Sequence, residues 1–115
     1  MEKIIRIDTK DYKMKASAYT QFAYKNETGR SFLTDIQELT KYANINEFNL
    51  EQLNDVSDLL LKVAYVMIKE ADPNQVSDYE SFLKGIESLY DNIDWIADVI
   101  VLGCTPISRQ LQNAQ

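Results

Sequence analysis

Four carboxylates come closest, by their spacing, to a chemical site in this chain. Glu87, Asp91, Asp94 and Asp98 follow one another at intervals of 4, 3 and 4 residues, so they share one stripe if a helix continues through residues 87–98. Such a stripe offers ligands for a hard cation such as Ca²⁺ or Mg²⁺. One straight helix cannot wrap carboxylates around an ion, however, and no loop carries the central glycine of a calcium loop. We therefore expect a solvated acidic face and no metal site.

Histidine, the side chain most often used in acid–base catalysis, is missing from the sequence. The 115 residues include no histidine, which excludes Ser-His-Asp and Cys-His catalysis and histidine-bound metals. The single cysteine, Cys104, has no base to activate it, and the three glycines form no phosphate-binding loop. Catalysis by paired carboxylates needs a cleft, which a sequence does not display. We expect a protein without catalytic activity and without a cofactor.

Charge argues against nucleic acid as a partner, and the short apolar runs argue against a membrane. The net charge is −6, and residues 31–115 hold fourteen acids against five bases, a balance that repels nucleic acid. Residues 1–30 hold seven bases against four acids, and charges on a strand edge are typical protection against unwanted strand pairing. The longest apolar run, residues 63–68, is far shorter than the roughly 20 residues that cross a membrane, and no secretory-signal pattern opens the chain. We expect neither nucleic acid nor membrane as a partner.

Two short strands begin the chain. Residues 2–7 and 11–16 are predicted strands, because Tyr12, Met14 and Ala16 alternate with charged residues at the period of a half-buried strand. Residues 8–10 supply the turn between them, with Asp8 at its first position. The result is a hairpin over residues 2–16, which needs an apolar surface to lean on.

Helical spacing dominates the rest of the sequence. Each predicted helix has a start or stop signal. The first helix covers residues 17–27, with Ser17 as its cap and Gly29 at its end, and the second begins at Ser31 and has Phe32, Leu33, Ile36 and Leu39 on one face. The third covers residues 50–71, between a loop at 44–49 that ends in the N-cap Asn49 and the helix breaker Pro73. The fourth begins at the capping box Ser77–Glu80 and carries Phe82, Leu83, Ile86 and Leu89, and the fifth covers residues 92–102 and is ended by Gly103.

The predicted fold class is α+β and predominantly α-helical, with an N-terminal β-hairpin followed by about five helices in one domain. This domain spans residues 1–103. Residues 104–115 hold few apolar anchors, so we expect a loose C-terminal tail.

Two groups of apolar residues exceed what one helix face can bury. Tyr65 and Val66 lie off the main stripe of the longest helix, and Val99 and Leu102 widen the stripe of the last one. They form either a partner-binding surface or part of the chain's own core. These four residues are the candidate partner-binding residues; no catalytic, cofactor-binding or metal-binding residue is predicted.

Five segments of the chain resemble one family. They include a Lys-Ala-Ser-Ala turn at residues 15–18 and a Lys-x-Ala-Asp-Pro helix end at residues 69–73. The five segments are IIRID at 4–8, YKMKASA at 12–18, TGRSFLTDI at 28–36, AYVMIKEADP at 64–73 and DYESFL at 78–83. Together they resemble the tail assembly chaperones of long-tailed phages and prophages of Gram-positive bacteria, although Ser31 stands where that family's pattern has Asp.

This resemblance implies a non-catalytic protein that binds the tape measure protein, keeps it soluble and helps recruit tail-tube subunits, which are the major tail protein. It also implies self-association, a location in the cytoplasm of the bacterial host and absence from the mature virion. Two other classes remain open. One is a structural virion component such as a head–tail connector, and the other is an acidic helical adaptor that binds a host protein.

Overall fold

The computed structural model describes residues 1–42 and 50–107. Over these residues the chain forms a two-strand antiparallel hairpin followed by five α-helices, which confirms the α+β, predominantly helical prediction. The strands are β1 (Glu2–Ile7) and β2 (Lys10–Lys15), and the helices are α1 (Thr20–Thr28), α2 (Phe32–Thr40), α3 (Leu50–Ala71), α4 (Tyr79–Lys84) and α5 (Asp94–Cys104), with a 3₁₀ turn at Pro73–Gln75.

The hairpin is one residue tighter than predicted. Lys10 belongs to β2 and pairs with Ile7, so the loop contains only Asp8 and Thr9. Asp8 has a φ of 59°, a conformation that Asp adopts more readily than most residues. Its Oδ2 accepts a hydrogen bond from the Glu87 backbone N–H at 3.0 Å, which ties the loop to the segment before α5.

The hairpin alternates as its sequence indicates. Ile5, Ile7, Tyr12 and Met14 are buried on one face, and the residues between them are exposed. The buried face rests on α3 and α5. The helices thus supply the apolar surface that a two-stranded sheet requires.

Ser17 does not cap α1, which corrects the predicted start of this helix. Its Oγ accepts from the Tyr19 N–H and donates to Glu70 at 2.7 Å, and its own N–H donates to the Thr20 hydroxyl. Thr20 donates to the other Glu70 oxygen at 2.6 Å. Both hydroxyls donate to the Glu70 carboxylate at the end of α3. No side chain of the described residues caps α1, which begins only at Thr20. Gly29 ends the helix in the left-handed region at φ 74°, as predicted.

The next two helices follow their sequence signals. Ser31 caps α2 by accepting from the Thr34 N–H, and α3 covers residues 50–71 as predicted. Pro73 follows α3 and opens the 3₁₀ turn, with the Asp72 carboxylate accepting from the Asn74 N–H. The predicted loop at 44–49, with its Asn49 cap, lies outside the described residues.

The last two helices differ from the prediction in their ends. The N-cap of α4 is Asp78 and not Ser77, because the Asp78 carboxylate accepts a hydrogen bond from the Ser81 N–H. Helix α4 ends at Lys84, before Gly85. Residues 86–92 are not helical. Trp95, buried in the first turn of α5, donates its indole N–H to a carbonyl of this connection, that of Leu89, at 2.8 Å.

Gly103 does not end α5, because it fulfils a packing role inside the helix. A Cβ at this position would lie 2.6 Å from the Cδ1 of Ile36 on α2, so a larger residue would force the buried Ile36 side chain to shift. The helix continues to Cys104, whose side chain is buried. The packed domain therefore extends past residue 103, and Ile107 still packs against the core. Of the predicted loose tail, residues 108–115 lie outside the described residues.

Candidate partner-binding surface

The four candidate partner-binding residues are not on the surface. Tyr65, Val66, Val99 and Leu102 are each 3% exposed or less and belong to the main core cluster. Side chains at this degree of burial expose too little surface to form a partner-binding patch in this structure. The structure therefore corrects the prediction of a partner surface at these residues, and their burial agrees with the core alternative.

Neighbouring elements explain why α3 and α5 are apolar on so many sides. The Tyr65 ring packs edge-on against the Tyr79 ring at 5.3 Å and beside the Phe82 ring at 5.8 Å, so α4 covers this side of α3. Helix α5 lies against β1, α2 and α3. A helix enclosed by three elements needs apolar residues over most of its circumference.

The carboxylate stripe does not form either. Helix α4 ends at residue 84 and α5 begins at Asp94, so Glu87 and Asp91 share no helix with Asp94 and Asp98. Asp98 instead pairs with the Lys3 ammonium at 3.1 Å. Among the described residues, no three His, Cys, Asp or Glu side chains lie close enough to hold a metal ion.

Cys104 is a packed thiol. It is buried in α5, and this burial raises the pKa of the thiol. A raised pKa disfavours the thiolate, which is the nucleophilic form. Its place in the fold fits a packing role.

Large apolar side chains are exposed in a different place. Phe22 on α1 is 61% exposed, as is Tyr19 at the start of the same helix, and Leu33 on α2 is 46% exposed. The Leu33 position corrects the prediction that it belongs to the buried stripe of α2. Met1 and Ile4, at β1, are also exposed.

Phe22 and Leu33 both line an open groove between α1 and α2, which we call the α1–α2 groove. It continues past Leu33 to the turn that follows α5. One end is lined by Gln21, Phe22, Lys25, Asn26, Ser31, Phe32 and Leu33, and the other by Gln21, Phe32, Leu33, Pro106 and Ile107. Only one of these side chains is charged, in a chain with 26% charged residues.

A hydrogen-bonded carboxylate fixes the two helices that form this groove. Asp35 on α2 is 2% exposed and accepts from the Tyr24 hydroxyl of α1 at 2.6 Å. It also accepts from Nε and Nη2 of Arg30, in the connection between the helices, at 2.7 and 2.9 Å. The Arg30 hydrogen bonds hold the pKa of Asp35 below its usual value, and burial followed by the Asp35 hydrogen bond raises that of Tyr24. We call these three residues the Asp35 network.

The α1–α2 groove is an open surface groove and not an enclosed pocket, with about 240 and 230 Å³ at its two ends. Sites for drug-sized ligands are clefts or cavities that bury most of the ligand. A shallow, nearly uncharged groove suits the side chains of a partner protein better.

Sequence reasoning missed both the groove and the Asp35 network, although one signal was present. Phe22 and Tyr24 are two residues apart, which places them about 200° apart around a helix. They cannot both face one narrow core contact, so burial of one exposes the other. Asp35 offered no comparable signal, because Arg30 and Tyr24 meet it only once the helices have folded.

No described helix combines the length and the apolar character required to cross a membrane. The sequence and the fold were also compared with those of known proteins. No family model, no curated protein and no solved structure matches this chain.

Proposed function

We propose that this protein is a non-catalytic tail assembly chaperone of a phage or prophage. It binds the tape measure protein, keeps it soluble and helps recruit the major tail protein during tail assembly. The resemblance of five sequence segments supports the choice of family. The observation that carries the binding role is the α1–α2 groove, where Phe22 and Leu33 are both exposed.

The groove has the properties of a site for an amphipathic helix. Such helices dock by inserting apolar side chains at positions i, i+3, i+4 and i+7 into an apolar groove. Phe22 and Leu33 offer two apolar walls, and Lys25 is the one charge among the lining residues. A long helical tape measure protein presents apolar stripes of this kind at many points along its length.

A chaperone of this kind works before the tail is complete. It acts in the cytoplasm of the bacterial host and is displaced by tube subunits, so it is absent from the mature virion. It also associates with itself along its long partner.

Co-expression tests the proposal. The gene for a tape measure protein is a very long, helix-rich open reading frame, expected just downstream of this one. We expect its product to become soluble and to co-elute with this chain in high salt, because apolar contacts withstand salt. The double variant Phe22→Ser/Leu33→Ser should lose this effect, whereas Tyr19→Ser, equally exposed but lining a different groove, should retain it.

Other results would contradict the proposal. A long product that stays insoluble while this chain elutes alone would exclude the chaperone role. Recovery of the chain from finished particles would indicate a structural component such as a connector. Binding to a host protein that weakens steeply with salt would indicate an acidic adaptor.

A further inference from the structure

The two outer edges of the hairpin differ in a way that points to a second interface. Met1 and Ala16 exchange both backbone hydrogen bonds, at 2.8 and 2.9 Å. Such pairs alternate along an antiparallel ladder. The backbone groups of Glu2, Ile4 and Arg6 therefore point outward from β1, and those of Asp11, Lys13 and Lys15 point outward from β2.

The outer edge of β2 is closed at its centre by a side chain. The Gln75 carboxamide accepts from the Lys13 N–H at 2.8 Å and donates to the Lys13 carbonyl at 2.9 Å, as a neighbouring strand would. It also donates to the Ile68 carbonyl of α3 at 3.1 Å, which fixes it in place. A further strand cannot pair with β2 unless Gln75 leaves.

The outer edge of β1 has no such closure. Within the part of the chain that the structure describes, the backbone N–H and carbonyl groups of Ile4 and Arg6 bond to nothing beyond β1 and β2. Ile4 is 64% exposed, although the polar side chains of Glu2 and Arg6 flank it on the same face. An open edge with an exposed apolar side chain at its centre is a template for another strand.

The charges beside this edge are paired or opposite in sign, so they protect it less than the sequence indicated. Lys3, which points to the opposite face, is paired with Asp98. Arg6 is bonded across the hairpin to Asp11, in a pair with both side chains more than half exposed. Glu2 and Arg6 carry opposite charges two positions on either side of Ile4.

We propose that β1 pairs with β1 of a second copy of this chain, antiparallel and centred on Ile4. In this register Ile4 faces Ile4, and Glu2 of each copy faces Arg6 of the other. The outward N–H and carbonyl groups of residues 2, 4 and 6 in one copy then bond to those of residues 6, 4 and 2 in the other, so none of them is left unpaired. Any shift of register leaves some of these groups unpaired, and a parallel arrangement places Glu2 against Glu2.

The two-fold symmetry of this arrangement is that of most protein dimers, in which one patch meets itself. The product is a continuous four-stranded sheet, with β2 at each end and Gln75 closing both outer edges. Further strand addition is thereby blocked, so the association stops at two copies. The proposal rests on the strand geometry and the charge pattern of β1, and its test does not depend on binding to the tape measure protein.

Sedimentation equilibrium of the purified chain tests this pairing. Since two short strands bury less than the roughly 1,200 Å² of a stable interface, concentrations from about 10 µM to about 1 mM are needed. We expect the mass to double over this range. Ile4→Pro should weaken dimerisation at least about tenfold, because proline removes an outward N–H but no hydrogen bond of the hairpin.

Lys15→Pro is the matched control, since it removes an outward N–H from β2 instead, and it should leave the dimer intact. If the circular dichroism spectrum shows that Ile4→Pro is unfolded, Ile4→Lys replaces it as the variant that should weaken the dimer. A wild-type chain that stays monomeric at about 1 mM overturns the proposal, as does a dimer that both Ile4 variants retain.

Charge exchange tests the register. Glu2→Arg and Arg6→Glu should each be monomeric alone, because like charges then face each other across the two-fold axis. An equimolar mixture of these two variants should form a heterodimer, since every charge again meets its opposite. A mixture that stays monomeric would overturn the register, and equal dimerisation by each single variant would do the same.

Discussion

Replacement of Asp35 tests how the α1–α2 groove is held in shape. Its carboxylate is the point where α1, α2 and their connection meet, through one bond from Tyr24 and two from Arg30. Asp35→Ala removes all three bonds and leaves the Tyr24 hydroxyl buried without its acceptor.

The size of the effect follows from burial. A buried hydroxyl that loses its partner costs about 1–3 kcal/mol. The bonds from Arg30 add less, because its side chain is 48% exposed and remains solvated. We expect Asp35→Ala to lower the free energy of unfolding by about 2–3 kcal/mol. Tyr24→Phe keeps the pairing of Asp35 with Arg30 and should cost about 1–2 kcal/mol.

The pH dependence has a definite sign. Because the folded pKa of Asp35 is lowered, the unfolded chain binds the extra proton, and stability rises with pH through this range. The stabilisation by the ionised carboxylate is complete above the unfolded pKa of about 4 and is lost as pH falls through the folded pKa. Asp35→Asn cannot ionise, so the gap between wild type and this variant should close as pH falls below about 4.

Urea unfolding followed by circular dichroism at a series of pH values measures both effects. At pH 7, a loss of about 2–3 kcal/mol in Asp35→Ala corresponds to roughly 10 °C in melting temperature for a chain of this length. A loss below about 0.5 kcal/mol would refute the role of this carboxylate. A gap between wild type and Asp35→Asn that widens as pH falls would refute the electrostatic reasoning.

Three further predictions concern the packing of the core and the closed edge of the sheet. The double variant Tyr65→Ser/Val66→Ser should unfold, since each core truncation costs about 2–5 kcal/mol. A circular dichroism spectrum of a folded protein would contradict the assignment of these two residues to the core. Gly103→Ala should lower the melting temperature by overpacking against α2, whereas Gly85→Ala, with its nearest atom at 3.5 Å, should leave it unchanged or slightly raised; equal effects would contradict the packing role of Gly103. Gln75→Ala should lower the free energy of unfolding by about 1–2 kcal/mol and speed hydrogen exchange at the Lys13 amide, which donates to the Gln75 carboxamide. Unchanged exchange at Lys13 would show that Gln75 does not close this edge.

Local patterns in the sequence were sufficient for most of the fold. Alternation identified the hairpin, the 3.6-residue period identified α3, and Gly29 ended α1 in the left-handed conformation that glycine favours. These signals depend on residues within one element, so no knowledge of the tertiary structure is needed to read them.

The errors concern residues whose role depends on another element. Gly103 has the pattern of a helix end, but it lies inside α5 because Ile36 of α2 needs the space. Ser17 has the pattern of an N-cap, but its hydroxyl bonds to Glu70, 53 positions away. A single sequence does not reveal which distant residue competes for a local group.

The candidate surface was wrong for the same reason. Excess apolar residues on a helix indicate extra contacts, without indicating whether these are within the chain or with a partner. Tyr65 and Val66 are covered by elements of this chain, whereas Phe22, in a weakly patterned helix, is exposed. Burial had to be known before surface and core could be distinguished.

The most direct test of the account is to map where the tape measure protein binds. Backbone amide spectra of the ¹⁵N-labelled chain, recorded with and without a soluble helical segment of that protein, locate the contact residue by residue. The account predicts that the largest shifts fall on α1 and α2 around Phe22 and Leu33, with Ile107 at the end of the groove. Shifts confined to other faces of the domain, or a spectrum that does not change, would contradict it.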